Sequence, residues 1–163
     1  LTDLYRISTI LEGFSRTEVG YKLEICYPFY QDSYVKIIED MTAVSANSFI
    51  LGILTEREYN KLLDQVGVVV SIPSSDSSPK SVYEAIFRGC IIITNHDATW
   101  ITECTLDMLS RVVLADLSNP DWLAESLQVA SLRPEFYVPS DESVSRFSRR
   151  VNIEKIVNMI NYD

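Results

Sequence analysis

Residues 67–73 read GVVVSIP and residues 90–94 read CIIIT, so both short segments are apolar at successive positions. Because the side chains of a β-strand point alternately to its two faces, such strands need cover on both sides. That requirement is typical of the interior of a parallel sheet. Segments with apolar residues at helical spacing alternate with the strands along the chain. The sequence therefore predicts an α/β domain with a mostly parallel sheet.

The other elements follow from the same two periodicities and from local start and stop signals. In chain order, they are a helix ending near Gly13, a strand around 23–25, a helix at 34–41 capped by Asp32 or Ser33, a strand at 48–54, a helix opened by Thr55, a helix at 79–88, a strand at 111–116 and a helix at 119–132. A short helix is a candidate within the loop after 95, and 133–141 reads as irregular. Near the end, Ile153, Ile156, Val157 and Ile160 form an amphipathic stripe that needs a surface to pack on.

Composition excludes several function classes. The chain has 163 residues, a length that suits one domain, 1–163. Its formal net charge of −9 argues against non-specific nucleic-acid binding, which depends on Lys and Arg neutralising phosphates. No apolar run approaches the roughly 18 residues that a membrane-spanning helix needs. Three separated cysteines without a CxxC pair, together with a single histidine, argue against a zinc site and favour free thiols.

A serine-rich loop, SSDSSPKS at 74–81, joins the first apolar strand to a helix. In parallel sheets, ligands bind beyond the carboxyl ends of strands, which is where this loop falls. Pro79 fits the first helical position and Ser78 the N-cap. A helix N-terminus carries a partial positive charge of about half a unit and favours anions. The loop also supplies hydrogen-bond donors, which are the side chains of Ser77, Ser78, Lys80 and Ser81. Together with the helix N-terminus, these donors predict a phosphate or diphosphate site. The alternative is a well-capped helix after a polar turn.

Glu84 lies one turn further into the same helix, and two interpretations of it are open. It can form a surface ion pair with Arg88 at i,i+4. Alternatively, its carboxylate accepts hydrogen bonds from the hydroxyls of a ligand, which are stronger interactions if it faces a cleft. The spacing alone does not choose between them.

The segment SIPSSDSSPKSVYEAIFRGCIIITN at 71–95 resembles the donor-sugar segment of glycosyltransferase family 4 (glycosyl transferases group 1), which are retaining enzymes of GT-B fold. In that family an apolar strand leads to an acidic residue, a proline three positions on, and then xxLEAMAxGxPVI. The residues at these positions are Asp76, Pro79, Glu84, Ala85 and Gly89, with the two acids eight apart. SFILGILTEREYNKLL and NPDWLAESL also resemble family segments. The resemblance implies a Rossmann-like doubly wound parallel sheet, one half of a GT-B glycosyltransferase.

The resemblance also implies roles for residues. Asp76 and Glu84 become the candidate catalytic acids, addressing the transferred sugar and the ribose hydroxyls respectively. Ser77, Ser78, Lys80 and Ser81 would bind the diphosphate, and Gly52, Ile53 and Leu54 would border the base. The implied reaction is retaining transfer from a UDP- or GDP-linked sugar to a saccharide or lipid-linked acceptor in polysaccharide or glycoconjugate biosynthesis, without a metal. An N-terminal acceptor-binding domain would complete the enzyme, in the cytoplasm at the inner face of the membrane.

The chain departs from the family pattern in three places. Asp76 replaces a glutamate, and NHDATWITE, which contains His96, stands where the family has a Gly-Gly pair. The family's first strand and its phosphate-binding Arg/Lys pair have no counterpart, so we expect the chain to begin after them and the isolated domain to be inactive. The first alternative is a non-catalytic or degenerate nucleotide-binding module. A response-regulator receiver and a sugar-nucleotide epimerase relative are weaker alternatives.

Several apolar residues are interpreted as packing residues: Cys26, Cys90, Cys104, Trp100 and Trp122. The FYVP segment at 136–139 has two interpretations. It is either a surface loop tucked over the sheet or a hydrophobic arm toward the missing domain.

Overall fold

The computed structural model describes residues 3–17, 20–27, 32–75, 79–96, 98–134 and 136–147. The strands are β1 (Leu23–Cys26), β2 (Ser48–Gly52), β3 (Val68–Val70), β4 (Ile91–Asn95) and β5 (Val112–Ala115). The α-helices are α1 (Ile7–Phe14), α2 (Asp32–Ala43), α3 (Glu56–Leu63), α4 (Lys80–Phe87), α5 (Leu106–Leu109), α6 (Trp122–Ser131) and α7 (Asp141–Phe147). Short 3₁₀ helices lie at Asp3–Tyr5 and Thr99–Glu103. No helix in these ranges is long and apolar enough to cross a membrane.

All strand pairs are parallel, which confirms the predicted α/β class. The sequence predicts one sheet, but the described strands form two. One pairs β1 with β2, and the other has the order β3-β4-β5. The β1–β2 ladder shifts register between Ile25 and Cys26, close to its carboxyl end. Within the described ranges, the two sheets are not joined by a ladder of hydrogen bonds.

The β3-β4-β5 sheet is covered on both faces, as a doubly wound fold requires. Every residue of β4 is buried. Ile92 packs in a cluster with α4 and Trp100, whereas Ile91 and Ile93 pack in a second cluster with α1 and α6. Successive residues of β4 thus contact opposite layers, which is the reason for its uninterrupted apolar sequence.

The packing interpretation holds for one cysteine and both tryptophans, Cys90, Trp100 and Trp122, which the structure buries deeply. Trp100 and Cys90 pack in the same cluster as α4, and Trp122, the first residue of α6, packs against α1. All three cysteines are free thiols. Burial raises the pKa of Cys90 to about 11, although the charges of Arg111 and Arg88 oppose the shift. Cys90 is therefore a small apolar core residue at the start of β4.

Helix α3 begins where the sequence predicts, because its first turn is capped by its own side chains. The Thr55 hydroxyl accepts a hydrogen bond from the Glu58 amide at 3.3 Å, and the Glu58 carboxylate accepts one from the Thr55 amide at 2.8 Å. This reciprocal pair is a capping box, which satisfies amides that the helix itself leaves free.

Helix α1 ends at Phe14, so it ends near Gly13 as predicted, but it includes Gly13. A Cβ atom at Gly13 would lie 3.0 Å from the Trp122 indole ring and 3.1 Å from the Leu123 Cβ. Gly13 thus serves the close packing of α1 on α6 rather than the end of the helix.

Residues 136–140 form no regular element, as predicted, but one carboxylate fixes them. Asp107 of α5 accepts hydrogen bonds from the Tyr137 hydroxyl at 3.0 Å, the Ser140 amide at 3.0 Å and the Ser143 hydroxyl at 2.8 Å. Partial burial opposes ionisation of Asp107. The hydrogen bonds from Ser140, Thr105 and Ser143 outweigh it and hold its pKa well below the usual 3.8.

Helix α7, which the sequence does not predict, follows this segment. Its last residue, Phe147, packs against Tyr83 of α4 with ring centroids 4.7 Å apart. Within 136–139, Tyr137 turns inward, as expected for a loop tucked over the sheet. Phe136 and Val138 do not, since they are 84% and 65% exposed. The apolar stripe of the tail, 153–160, lies outside the described residues.

Candidate functional site

The candidate site lies where β3 leads into α4, at the carboxyl end of that strand. Asp76, Ser77 and Ser78, three of the predicted site residues, lie outside the described residues. The described part comprises the start of α4, the end of β2 and a tyrosine from α3 that the sequence analysis does not single out. Leu4 borders it, since its carbonyl accepts a hydrogen bond from the Ser74 amide at 2.9 Å.

The start of α4 differs by one residue from the prediction. Pro79 is the N-cap, with φ −74° and an extended ψ of 101°, and not the first helical residue. Its carbonyl accepts hydrogen bonds from the amides of Val82 at 3.0 Å and Tyr83 at 3.3 Å. The fixed φ of proline suits either position, so its extended ψ decides the boundary. Lys80 and Ser81 therefore form the first turn of the helix, at its electropositive end.

Glu84 and Lys80 lie one turn apart on α4 and form an ion pair at 3.3 Å. The side chain of Glu84 is 18% exposed and that of Lys80 is 63% exposed. The alternative pairing of Glu84 with Arg88 is wrong. Arg88 ends the helix and donates instead to the Asp64 carboxylate at the end of α3. Glu84 thus keeps a partly exposed carboxylate next to the start of α4.

Tyr59 of α3 contacts the first turn of α4. Its hydroxyl donates a long hydrogen bond of 3.5 Å to the Ser81 carbonyl. Burial raises the pKa of Tyr59 and the nearby charges of Glu84 and Cys26 raise it further, so the hydroxyl stays protonated. The only sequence signal for Tyr59 is its i,i+4 spacing to Leu63, whose cluster it joins.

Gly52, Ile53 and Leu54 lie at the carboxyl end of β2, as predicted. Gly52 has a φ of +76°, a left-handed conformation that favours glycine. Its carbonyl accepts a hydrogen bond from the Tyr27 amide at 3.2 Å, and it is in register with Cys26. Ile53 is 60% exposed. Tyr59 follows Leu54 by five residues and its hydroxyl bonds to the Ser81 carbonyl, so the segment after β2 approaches the start of α4.

Chemically, this neighbourhood offers a cation, a helix N-terminus and a carboxylate. Lys80 and the amides that begin α4 suit an anion, whereas Glu84 suits a ligand hydroxyl. His96 is exposed at the end of β4. Among the described residues, no group of three or more His, Cys, Asp or Glu side chains could hold a metal ion.

Two surface depressions of about 410 Å³ each lie elsewhere. One is bordered by the segments that precede β1 and β2, and the other lies beside β5 and α6. Ligands of open α/β sheets bind at the carboxyl ends of the strands, so we assign the candidate site by its chemistry and not by the volume of these depressions.

No protein-family model and no curated protein sequence matches the chain significantly. Solved structures do match its fold. Anabaena HepE (Alr3699), crystallised with UDP and glucose, aligns with a TM-score of 0.72 and 10% identity over 99% of this chain and 46% of HepE. The catalytic domain of cholesterol-α-glucosyltransferase from Helicobacter pylori aligns with a TM-score of 0.59 and 13% identity over 99% of this chain and 93% of that domain. Trehalose-6-phosphate synthase OtsA aligns with a TM-score of 0.58 and 12% identity over 99% of this chain and 40% of OtsA.

The chain therefore spans less than half of the length of HepE. HepE has also been crystallised with UDP-glucose, and that structure aligns with a TM-score of 0.72 and 11% identity. At these identities the likeness concerns the fold. The chain has the Rossmann-like α/β fold of one half of a GT-B glycosyltransferase.

Proposed function

We propose that the chain is the donor-binding half of a glycosyltransferase and binds a nucleotide-diphosphate sugar. The observation that carries the proposal is the pairing of Glu84 with Lys80 at the start of α4, beside the carboxyl end of β3. A carboxylate next to a cation and a helix N-terminus matches a ligand whose hydroxyls adjoin phosphates. The fold that this chain shares with HepE, which was crystallised with UDP and with UDP-glucose, supports the proposal.

In this proposal, Glu84 accepts hydrogen bonds from the ribose hydroxyls. Lys80 and the first amides of α4 bind the diphosphate, together with the hydroxyls of Ser77, Ser78 and Ser81. Asp76 addresses the hydroxyls of the sugar. Gly52, Ile53 and Leu54 border the base, where Ile53 offers an exposed apolar surface.

The proposed reaction breaks the bond between the anomeric carbon and the diphosphate oxygen and forms a bond to a hydroxyl oxygen of the acceptor, with retention at the anomeric carbon. Negative charge develops on the departing diphosphate. The contribution of this half is to stabilise that charge with Lys80 and the start of α4, and it needs no metal to do so. The acceptor, a saccharide or a lipid-linked saccharide, binds to a second half that this chain does not supply, so the isolated domain is inactive.

The test is an amide NMR titration of the chain with UDP, GDP and ADP, using Glu84→Gln and, as a matched control, Glu125→Gln. Glu125 is exposed on α6, away from the site. We expect one nucleotide to shift the amides of 80–84 and 52–54. Glu84→Gln should lower the affinity for that nucleotide about 10-fold or more, because hydrogen bonds to a charged group contribute roughly 1.5–3 kcal/mol. Glu125→Gln should leave the affinity unchanged.

A folded chain whose 80–84 and 52–54 amides respond to none of the three nucleotides would contradict the proposed site. Binding without any sugar transfer by the complete enzyme would instead favour the non-catalytic nucleotide-binding module.

A further inference from the structure

Three large apolar side chains lie exposed around one hydrogen bond. The Tyr137 hydroxyl donates to the Asp107 carboxylate at 3.0 Å, so the chain around Tyr137 lies over the short helix α5. Leu106, next to Asp107, is 87% exposed, and Phe136 and Val138, on either side of Tyr137, are 84% and 65% exposed. We call these three residues, Leu106, Phe136 and Val138, the α5 patch. A group of exposed apolar side chains is typical of an interaction surface.

The backbone that carries the patch is anchored to the core. The Arg111 guanidinium lies over the Tyr137 ring, 5.5 Å from its centroid. The Ser140 amide donates to the Asp107 carboxylate at 3.0 Å, on the far side of Val138. The exposed side chains beside Tyr137 are therefore held at the surface by a fixed backbone.

The C-terminal part of the sequence carries a matching apolar surface. Ile153, Ile156, Val157 and Ile160 follow the i, i+3, i+4, i+7 spacing of one helix face. Most of the residues between them are polar. The stripe therefore predicts an amphipathic helix with one face to bury, and the candidate site does not involve it.

The path of the chain brings the stripe close to the patch. Helix α7 begins beside the patch, where the Ser143 hydroxyl donates to Asp107 at 2.8 Å, and ends at Phe147, which packs against α4. Seven helical residues rise about 10 Å, so the chain leaves α7 about 10 Å from the patch. Residues 148–152 span up to about 17 Å when extended, which is enough for 153–160 to return along α7. Two antiparallel helices joined by two to five residues form an αα-hairpin.

Other exposed apolar side chains suit the stripe less well. Phe49 and Leu51 of β2 are each more than half covered. Ile37 and Val44 are exposed on and just after α2, which packs in the layer that contains α1. Helix α7 packs with α4, on the opposite face of the sheet from α1. The α5 patch is therefore the surface that α7 itself places near the stripe.

We propose that residues 153–160 form a helix that returns along α7 and covers the α5 patch with its apolar stripe. The occupant of the patch is a segment of the same chain, so the contact forms within one molecule at any concentration. In this arrangement Phe136 and Val138 receive the chain's own C-terminal segment and do not reach toward another domain. This inference rests on the patch and the stripe and does not depend on the proposed function.

The test is an NMR measurement of nuclear Overhauser effects between side chains of the 163-residue chain, with Ile156→Asp and, as a matched control, Asn158→Asp. Both substitutions add one negative charge, but Asn158 lies off the stripe. We expect contacts from the Phe136 ring and the Val138 methyls to the methyls of Ile156 and Val157. Ile156→Asp should lose these contacts, because burying an unpaired carboxylate is strongly unfavourable. Asn158→Asp should keep them.

The methyl signals of Ile92 and Ile93 in the buried strand β4 verify in every sample that the fold is retained. A folded wild type in which the stripe methyls contact no residue of the patch would overturn the proposal, whether they contact another surface or none. Contacts that survive Ile156→Asp would also overturn it, since the stripe would then not carry them. Contacts seen only between differently labelled molecules in a mixed sample would assign the patch to a second copy and would equally overturn it.

Discussion

The Lys80 ammonium lies 3.3 Å from the Glu84 carboxylate, one turn apart along α4. Such an i,i+4 pair contributes only about 0.3–0.5 kcal/mol when it is exposed, and the Lys80 side chain is 63% exposed. Lys80 can therefore leave Glu84 for a phosphate at little cost. Both charges remain available to a ligand, and their separate contributions can be measured.

Lys80→Gln should weaken the binding of a nucleoside diphosphate but not the binding of its parent nucleoside. In the proposed site Lys80 contacts phosphate and Glu84 contacts ribose, so the two substitutions remove different parts of the binding energy. We expect Lys80→Gln to lower the affinity for the diphosphate about fivefold, because one exposed charge contact contributes about 1 kcal/mol. Glu84→Gln should weaken both ligands. NMR titrations with the diphosphate and the nucleoside measure the two ratios.

Lys36→Gln, an exposed substitution on α2, is the control for the change in net charge. An equal loss of affinity for nucleoside and diphosphate in Lys80→Gln would show that Lys80 does not contact the phosphates.

Asp107→Asn should destabilise the fold by about 2 kcal/mol at neutral pH, because hydrogen bonds from Tyr137, Ser140 and Ser143 then lose a charged acceptor. The folded protein holds the pKa of Asp107 below its unfolded value of about 3.8. The stabilisation from its charge is therefore complete above that value and is lost as the pH falls through the folded pKa. Urea unfolding of both proteins between pH 7 and pH 2 measures this, and we expect the difference between them to shrink toward the acid end.

The matched control is Asp40→Asn, an exposed carboxylate on α2. A stability difference between the wild type and Asp107→Asn that stays constant down to acid pH would contradict a role for the charge itself.

Gly13→Ala should destabilise the protein by about 1 kcal/mol, although alanine favours helices by about 0.5–1 kcal/mol over glycine. The added methyl would lie 3.0 Å from the Trp122 ring and 3.1 Å from Leu123, and both side chains are buried and have little room to move. Overpacking of this kind costs about 1–3 kcal/mol. Gly67→Ala is the comparison, because an added Cβ there has no heavy atom within 4 Å. Thermal unfolding in which Gly13→Ala is at least as stable as wild type would show that α1 can move away from α6.

Features that depend on neighbours in sequence were predictable. The apolar runs of β3 and β4 identify parallel strands, and Thr55 with Glu58 identifies the start of α3, because caps and strand alternation are local. The placement of Lys80 and Glu84 on the helix after β3 follows from the same local pattern.

Features that depend on distant contacts were not predictable. The i,i+4 rule gives Glu84 two possible cations, Lys80 and Arg88, and only the position of Asp64 at the end of α3 shows that Arg88 is engaged elsewhere. Tyr59 reaches the site from another helix. Helix α7 forms where Asp107, more than thirty residues earlier, collects the donors of 137–143.

The separation of the two sheets has a consequence for how the protein unfolds. Each sheet is built from contacts that are local in sequence, β1-α2-β2 on one side and β3-α4-β4 with β5 on the other. Helix α1 packs against α2 and α6 and so touches both sides. Among the described residues, α1 and Leu23 of β1 pack against the cores of both halves, so loosening of α1 is expected to weaken the cooperativity between them.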